Sequence, residues 1–354
     1  MIPDFIRLQW VPMALALLAA ALFGASTPLA KLLVGEVDPI ALAAFLYLGS
    51  GIAMVTVKLV RRSSGSEAPI ERADWKWLLG SVVAGGVAAP IVLLVSLQNT
   101  PAATASLLLA FEGVATSVIA VLVFRESVSR RATVAIVLVT LATILLTRDG
   151  SGEWGISLGA LGVLAACALW GIDNNLTRSL SGKDPLSIVM VKGLGAGTFS
   201  LVLALALGRS LPALSTVLSA MLLGSVSYGM SIVLFIRALR GLGAARTSAL
   251  FGTAPLAGVV LSFVIFSESL ALPFFAALGL SVIAAALLVA EKHSHAHIHE
   301  SVTHDHRHRH DDGHHSHDHP GMTDRGLTHS HAHTHERLEH EHPHLPDLHH
   351  RHGH

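Results

Sequence analysis

All 23 histidines of this 354-residue chain lie in its last 62 residues, and most of them alternate with another residue. Neutral imidazole is a good ligand for zinc, copper, nickel and cobalt, and alternate residues of an extended chain point the same way, about 7 Å apart. Two or more histidines can therefore share one ion where the chain curves. The pattern predicts a tail that binds divalent transition metals (nickel, cobalt or zinc) through His293, His295, His297, His299, His304, His306, His308, His310, His315, His317, His319, His329, His331, His333 and His335.

The same tail is polar and of low complexity, and residues 293–354 hold ten Asp and Glu against five Arg. A segment of this composition cannot build an apolar core, so we expect it to be disordered without metal and its metal sites to be labile. So many histidine clusters also suit a metal buffer or sensor. The tail alone leaves open what the rest of the chain does.

Outside the tail, two acidic residues interrupt long apolar stretches. Glu112 falls near the middle of one stretch, where a carboxylate costs on the order of 3 kcal/mol on membrane-insertion scales. Asp173 interrupts another and is followed by Asn174 and Asn175. Both acids are candidates to coordinate a cation or to exchange a proton with it. The alternative, which the sequence leaves open, is a buried carboxyl group that is hydrogen-bonded to an amide or to the backbone.

Two residues just before Asp173, Cys167 and Trp170, are further candidates to line a path through this apolar region. Cys167 and Asn174 are seven residues apart and so share a helical face, where a thiolate beside an amide would suit a soft metal. Packing explains a single cysteine in an apolar helix equally well. Trp170 directly precedes the glycine before this polar break.

The composition indicates that these residues belong to a membrane protein. Hydrophobic residues make up 52% of the chain and charged residues 14%, and the mean hydropathy is +0.59. Its apolar runs reach roughly 20 residues, enough at about 1.5 Å per residue to cross a hydrocarbon core about 30 Å thick. The sequence predicts ten spans, near 11–33, 38–59, 75–97, 101–123, 130–147, 156–179, 185–207, 214–237, 246–266 and 272–291.

Lysine and arginine are distributed unevenly between the predicted loops. Loops after even-numbered spans hold most of them, for example Arg61, Arg62, Arg130, Arg131 and Lys183. Positive residues are retained on the cytoplasmic side of a membrane. We therefore expect a multi-pass protein of the cell (inner) membrane with both termini, and hence the tail, in the cytoplasm.

Three pairs of segments resemble each other at offsets of 142 to 147 residues and in the same order: 18–33 with 164–180, 78–81 with 222–225, and 124–127 with 266–269. Such a series indicates an internal repeat. Five spans per half is an odd number, so the second copy would enter the membrane from the opposite side. The predicted organisation is an all-α membrane protein of two inverted five-helix repeats, 1–149 and 150–292, followed by the tail 293–354; such repeats favour alternating access around a site near the midplane.

The body of the chain resembles the EamA branch of the drug/metabolite transporter superfamily. The matching features are an aromatic-Gly pair at Phe23-Gly24 and at Trp170-Gly171, alanine-rich helices ending on glutamate at 103–126 and 245–268, and Pro255. The resemblance implies a ten-helix carrier of small molecules. In place of the proline expected in the fourth span the chain has Phe111-Glu112-Gly113, and its tail resembles those of a branch associated with nickel and cobalt resistance.

Three functions remain open from the sequence. The first is a secondary exporter of divalent metal, with nickel or cobalt ahead of zinc, in which the tail captures ions, Glu112 and Asp173 offer ligands, and protons are exchanged. The second is an exporter of an amino acid or other small metabolite whose tail responds to metal. The third is a membrane sensor or store that transports nothing.

Several motifs of other protein classes do not occur in the sequence. There is no phosphate-binding loop of the Walker type, which argues against direct ATP drive, and no HExxH zinc-protease motif. We predict that the protein is not an enzyme, requires no cofactor although its tail binds divalent metal ions, and binds the lipid bilayer but no nucleic acid. The sequence does not indicate an oligomeric state.

Overall fold

The structure is a computed structural model that describes residues 4–61, 68–124, 130–147, 157–180, 182–242, 247, 250–266 and 272–289, and residues 294–299, 302–308, 329–335 and 338–343 of the tail. Outside the tail the regular structure of the described residues is helical, apart from a single bridge between Ala68 and Lys183. The apolar composition explains this, because a helix satisfies its own backbone in lipid. The helices are α1 (Asp4–Gly24), α2 (Ser26–Val34), α3 (Pro39–Arg61), α4 (Trp75–Ser81), α5 (Ala89–Leu97), α6 (Ala102–Leu108), α7 (Phe111–Phe124), α8 (Arg130–Thr147), α9 (Leu158–Arg178), α10 (Pro185–Ala206), α11 (Leu214–Leu223), α12 (Ser231–Leu242), α13 (Ala254–Phe266) and α14 (Leu272–Val289), with a 3₁₀ turn at Arg72–Asp74.

Six helical stretches among the described residues are long and apolar enough to cross a membrane: Trp10–Val34, Pro39–Val60, Arg72–Leu97, Ala102–Val123, Pro185–Ala206 and Leu214–Ala238. Three shorter apolar stretches are Thr133–Leu146, Ala254–Phe266 and Leu272–Leu287. Helix α9 has 21 residues but carries Asp173, two asparagines and Arg178, which lower its hydropathy. Multiple membrane spans are therefore supported, and the count of ten stays a prediction.

Two π-helical segments occur among the described residues, each continuous with the α-helices on either side. The first π segment (Val82–Ala88) joins α4 to α5, and the second π segment (Gly224–Met230) joins α11 to α12. They begin 142 residues apart, at Val82 and Gly224, which lies within the range of offsets found for the sequence repeat. Each therefore falls in the third predicted span of its half. Single-turn π segments are rare in helices and are frequent at functional sites.

Glycines bring α3 and α10 into backbone contact. A Cβ on Gly193 would lie 2.4 Å from the Gly51 nitrogen, and a Cβ on Gly197 would lie 2.6 Å from the Leu48 nitrogen. Small residues allow such close approach of membrane helices. The contact joins one helix of each predicted half.

Ion pairs join loops of the two predicted halves. The Lys183 ammonium lies 2.6 Å from Glu71 and 3.5 Å from Asp74, and the Lys58 ammonium lies 3.1 Å from Asp184. These residues flank the loop between the second and third predicted spans and the loop between the sixth and seventh. A chain that crosses the membrane at every predicted span places both loops on the same side. The orientation of that side stays a prediction.

The described residues of the tail form two antiparallel strand pairs: β1 (Ser294–His299) with β4 (Leu338–Pro343), and β2 (Val302–His308) with β3 (His329–His335). In these four stretches the structure differs from the disordered tail that we expected from composition. Alternation of histidine with other residues has the period of two that suits an extended, paired chain. The other tail residues lie outside the described part.

Candidate functional site

Asp173 of α9 and Lys192 of α10 form an ion pair inside the helical body. The Lys192 ammonium lies 2.6 Å from Asp173 Oδ2 and 2.8 Å from Oδ1. Asp173 is 5% exposed and Lys192 is 7% exposed. A buried carboxylate or ammonium is tolerated only with a partner of opposite charge, so each residue accounts for the other.

Two hydroxyl groups also bind the Asp173 carboxylate. Ser81 Oγ, at the end of α4, donates to Asp173 Oδ1 over 2.5 Å. Thr177 Oγ1, one turn further along α9, donates to the same oxygen over 2.9 Å. Asp173 therefore has hydrogen-bond donors from three helices, and its position is fixed in the structure.

Gly85 of the first π segment makes room for this carboxylate. A Cβ at Gly85 would lie 1.9 Å from Asp173 Oδ2 and 2.2 Å from its Cγ, closer than atoms can approach. Only glycine leaves space for Asp173 at this position.

The Gly85 carbonyl accepts two hydrogen bonds from aromatic side chains. Ala89 N–H, the donor that a regular α-helix would offer to this carbonyl, bonds to Ala84 instead. The next candidate along the π segment is Pro90, which has no N–H. The oxygen is bonded instead by the Tyr47 hydroxyl, at 2.7 Å, and by Trp170 Nε1, at 3.1 Å. Pro90 thus produces the acceptor that holds these two rings.

These rings belong to a group that we call the aromatic cluster: Phe23, Tyr47, Trp170, Tyr228 and Phe251. Phe23 lies 6.3 Å from Trp170, 6.0 Å from Tyr228 and 5.2 Å from Phe251 between ring centroids. Tyr47 lies 5.5 Å from Tyr228. Both predicted halves contribute rings, so the aromatic cluster lies where the halves meet.

Glu112 of α7 belongs to a second polar group, which lies against a different face of α9 from Asp173. Asn174 Nδ2 donates to Glu112 Oε1 over 2.8 Å and to Thr116 Oγ1 over 3.2 Å. Asn175 Nδ2 donates to the Thr116 carbonyl over 3.1 Å and to the Gly171 carbonyl. Glu112 is half-buried, and a Cβ on the adjacent Gly113 would meet no atom within 4 Å.

The predicted pathway residues are thus divided between two places. Asp173 binds Lys192, and Trp170 binds the Gly85 carbonyl. Asn174 instead binds Glu112, and Asn175 binds the Thr116 carbonyl. Cys167 is buried, with its Sγ 3.7 Å from the Leu108 carbonyl. The described residues include no group of three or more His, Cys, Asp and Glu placed to hold a metal ion.

Among the predicted tail ligands, His293, His310, His315, His317 and His319 lie outside the described residues. The others lie on the strands. The backbone register sets histidine opposite histidine at five positions: His295 with His342, His297 with His340, His304 with His333, His306 with His331, and His308 with His329. Metal binding by the tail stays a prediction.

Sequence reasoning missed Lys192, Ser81, Thr177 and Tyr47. A signal for Lys192 was present, because it lies inside the apolar stretch predicted to span the membrane at 185–207. A charged residue at such a place is expected to pair or to mark a substrate path. No comparable signal exists for the two hydroxyl residues.

Comparison with known proteins gives three findings. The profile described as the EamA-like transporter family matches the chain twice, over residues 10–148 and 157–290. A protein of Methanothermobacter thermautotrophicus (strain Delta H), described as an uncharacterized transporter, is 30% identical over 267 residues, which cover 71% of this chain and 78% of that relative. A solved structure titled "Crystal structure of protein" superposes with a TM-score of 0.60 at 19% identity, covering 78% of this chain and 95% of that one.

Proposed function

Because this chain belongs to the EamA-like transporter family, we propose that it is a secondary transporter that exports a small organic metabolite, such as an amino acid, and that its histidine-rich tail responds to metal. Transport across the membrane follows from the family and from the apolar helices. The cargo, the direction and the response to metal are the proposal. A transporter of this kind makes and breaks no covalent bond in its cargo, which agrees with the prediction that the protein is not an enzyme.

The observation that carries the choice of cargo is the ion pair between Asp173 and Lys192. A carboxylate whose charge is already balanced by a buried ammonium is a poor ligand for a bare divalent cation. The cation would have to displace the ammonium or accept a like charge beside it, and electrostatic repulsion is strong where water is excluded. The pair therefore favours a cargo with balanced or negative charge.

The aromatic cluster favours an organic cargo for a different reason. Sites for small molecules are mostly apolar and aromatic, with a few polar groups that fix orientation. Here the Phe23 ring contacts the rings of Trp170 and Tyr228, and Asp173 is one helical turn from Trp170. Rings beside a charged group suit a molecule with an apolar body and an ionised head.

Alternating access is the proposed mode of transport. We propose that the two matched segments are five-helix repeats of opposite orientation in the cell (inner) membrane, with both termini in the cytoplasm, and that they rock about the aromatic cluster. Glu112, half-buried beside an open position at Gly113, is the proposed proton-exchanging group. An intramembrane carboxylate with amide partners is suited to that role.

A second candidate cargo is a divalent transition metal, with nickel or cobalt ahead of zinc. The observation that favours it is the tail, which holds all 23 histidines of the chain. On this candidate the tail captures cytosolic ions and delivers them to the body. Glu112 would then act as an oxygen ligand on the path rather than only as a proton carrier.

Uptake into inside-out vesicles separates the candidates. Uptake of nickel, cobalt, zinc and each of a panel of amino acids is measured for the intact protein, for a variant lacking 293–354 and for Glu112→Gln. A metabolite exporter moves one or more amino acids with or without the tail, and Glu112→Gln reduces its dependence on the proton gradient. Metal uptake that persists without the tail, with no amino acid moved, supports the second candidate. If removing the tail abolishes every flux, or if the intact protein shows no flux, the protein is a metal sensor or store and the proposed transport is refuted.

A further inference from the structure

Lys192 and Asp173 depend on each other unequally. The Asp173 carboxylate has two further donors, the hydroxyl groups of Ser81 and Thr177. The Lys192 ammonium donates hydrogen bonds to both oxygens of Asp173. If the pair opens, Asp173 keeps two hydrogen bonds, whereas the buried Lys192 ammonium loses both of its hydrogen bonds to the carboxylate. A buried ammonium in that state requires another anionic group.

Lys192 cannot withdraw from the site by moving its backbone. The next residue, Gly193, packs on Gly51 so closely that a Cβ would lie 2.4 Å from the Gly51 nitrogen and 2.8 Å from the Tyr47 carbonyl oxygen. One turn further, Gly197 packs on Leu48 in the same way. The backbone of Lys192 therefore stays at the site unless α3 and α10 separate.

Gly85 connects the ion pair to the aromatic cluster. Asp173 Oδ2 occupies the position of the missing side chain, and the carbonyl of the same glycine holds the Tyr47 hydroxyl and Trp170 Nε1. Among the described residues, Lys192 is the cation that is buried in the body, so it is the group that would meet the anionic head of an organic molecule lying against these rings. Its anionic head and the Asp173 carboxylate would compete for one ammonium.

We propose that Lys192 is the residue that recognises the substrate's carboxylate: the carboxylate replaces Asp173 on the ammonium, while Ser81 and Thr177 retain Asp173. This rests on the proposed export of an organic metabolite and adds the charged group by which it is selected. The ion pair closes the empty site, and the loaded site contains one ammonium and two carboxylates. Lys192 thus acts as a specificity-determining residue rather than only as a link between α9 and α10.

The test measures counterflow in proteoliposomes that contain the full-length protein. The probes are a panel of labelled amino acids and their carboxamides, which differ only in having a neutral amide in place of the carboxylate. The readout is the ratio of acid to amide transported. For the intact protein the acid form is expected to dominate. In Lys192→Met the ratio is expected to fall on the order of tenfold or more, because the acid form loses its partner while the amide does not.

Two further variants separate recognition from folding. Asp173→Asn keeps Lys192 and its shape, so its ratio is expected to equal or exceed that of the intact protein. Lys58→Met is the matched control, because its ion pair with Asp184 lies at the loops, and it should change both probes by one factor. Should Lys192→Met fail to fold, the double variant with Asp173→Asn has no unpaired charge, and its ratio should also fall.

The outcomes distinguish the two proposals. If the intact protein transports amino acids but Lys192→Met, or the double variant, keeps the wild-type ratio, the assignment of Lys192 is wrong while the transport function stands. Equal losses of acid and amide in Lys192→Met and Asp173→Asn would also overturn it, since a structural link predicts that result. If the intact protein moves no member of the panel, the proposed metabolite cargo is wrong and this inference falls with it.

Discussion

Substitution of Gly85 by alanine tests the arrangement of the site most directly. The added methyl carbon would lie 1.9 Å from Asp173 Oδ2 and 2.2 Å from its Cγ. Asp173 cannot yield easily, because Lys192, Ser81 and Thr177 all bind its carboxylate. Either the carboxylate leaves the ammonium or the first π segment moves away from α9.

The expected loss of stability follows from the ion pair. Breaking a buried pair so that one charge loses its partner costs about 3–5 kcal/mol. Replacing a helical glycine by alanine recovers about 0.5–1 kcal/mol, because glycine loses more backbone freedom on folding. The difference predicts that Gly85→Ala lowers the free energy of unfolding by roughly 2–4 kcal/mol. In a protein that is only marginally stable this is a large effect.

Thermal unfolding of the purified protein in detergent, followed by fluorescence, is the measurement. Gly195→Ala is the matched control, since it also lies in a helix of this region but its Cβ would be 3.6 Å from Val82 Cγ1, an ordinary contact. We expect Gly85→Ala to melt several degrees below the wild type and Gly195→Ala to melt at or above it. A triple variant that adds Asp173→Ala and Lys192→Met removes the obstruction and the unpaired charge and should regain part of the loss. Equal melting of Gly85→Ala and the wild type would refute the placement of Asp173 over Gly85.

Three further predictions concern the Gly85 carbonyl, the loop ion pairs and the tail. Pro90→Ala supplies a backbone N–H near the Gly85 carbonyl, which then depends less on the Tyr47 hydroxyl. In a double-mutant cycle of thermal unfolding, Tyr47→Phe should therefore destabilise the Pro90→Ala protein less than the wild type, with a difference of about 0.5–1.5 kcal/mol. Additive effects of the two substitutions would contradict this. Burial opposes the charge of both loop residues, but hydrogen bonds from Ser187 and Lys58 lower the pKa of Asp184 and acidic neighbours raise the pKa of Lys183. Stability from Asp184 should therefore be present above about pH 4 and be lost as pH falls through its lowered pKa, whereas stability from Lys183 should be present below about pH 10.5 and be lost at higher pH. In unfolding measured against pH, Asp184→Asn should remove the loss at low pH and Lys183→Met the loss at high pH. Profiles that these substitutions leave unchanged would argue against the ion pairs. Removal of 293–354 should abolish high-capacity nickel binding by calorimetry, and the intact protein should release nickel below about pH 6, where imidazole is protonated; nickel retained by the truncated protein would place metal sites in the body.

The sequence predicts much of the architecture because apolar stretches and their spacing decide where helices cross a membrane. Six of the predicted spans appear as helices long and apolar enough to cross, and family membership is confirmed by two consecutive profile matches. The four strand segments in the tail differ from the expected disorder. There the alternation that we interpreted as a metal-ligand pattern also satisfies strand pairing, and composition alone does not separate the two.

The candidate site was predictable only where a residue type is conspicuous by itself. Glu112 and Asp173 stand out because an acid in an apolar stretch needs an explanation. Their partners are not visible in the same way: Ser81 lies 92 residues before Asp173, and hydroxyl residues are common in membrane helices. Lys192 is 19 residues after Asp173 on the next helix and could have been paired with it on charge alone. That pairing changes the chemistry, since it turns a free metal ligand into half of a neutral unit.

The two π segments lie at the spacing of the sequence repeat, and both adjoin the aromatic cluster. Pro90 follows Gly85 at the spacing of a π-helical bond, so the first π segment leaves a carbonyl that only side chains can bond, and Tyr47 and Trp170 do so. The second π segment, 142 residues later, supplies Tyr228, which contacts Phe23 and Tyr47. Each predicted half thus contributes one irregular segment to the same aromatic cluster. Irregular turns beside a shared site suit the alternating access proposed above, because they can change shape while the packed helices move as units.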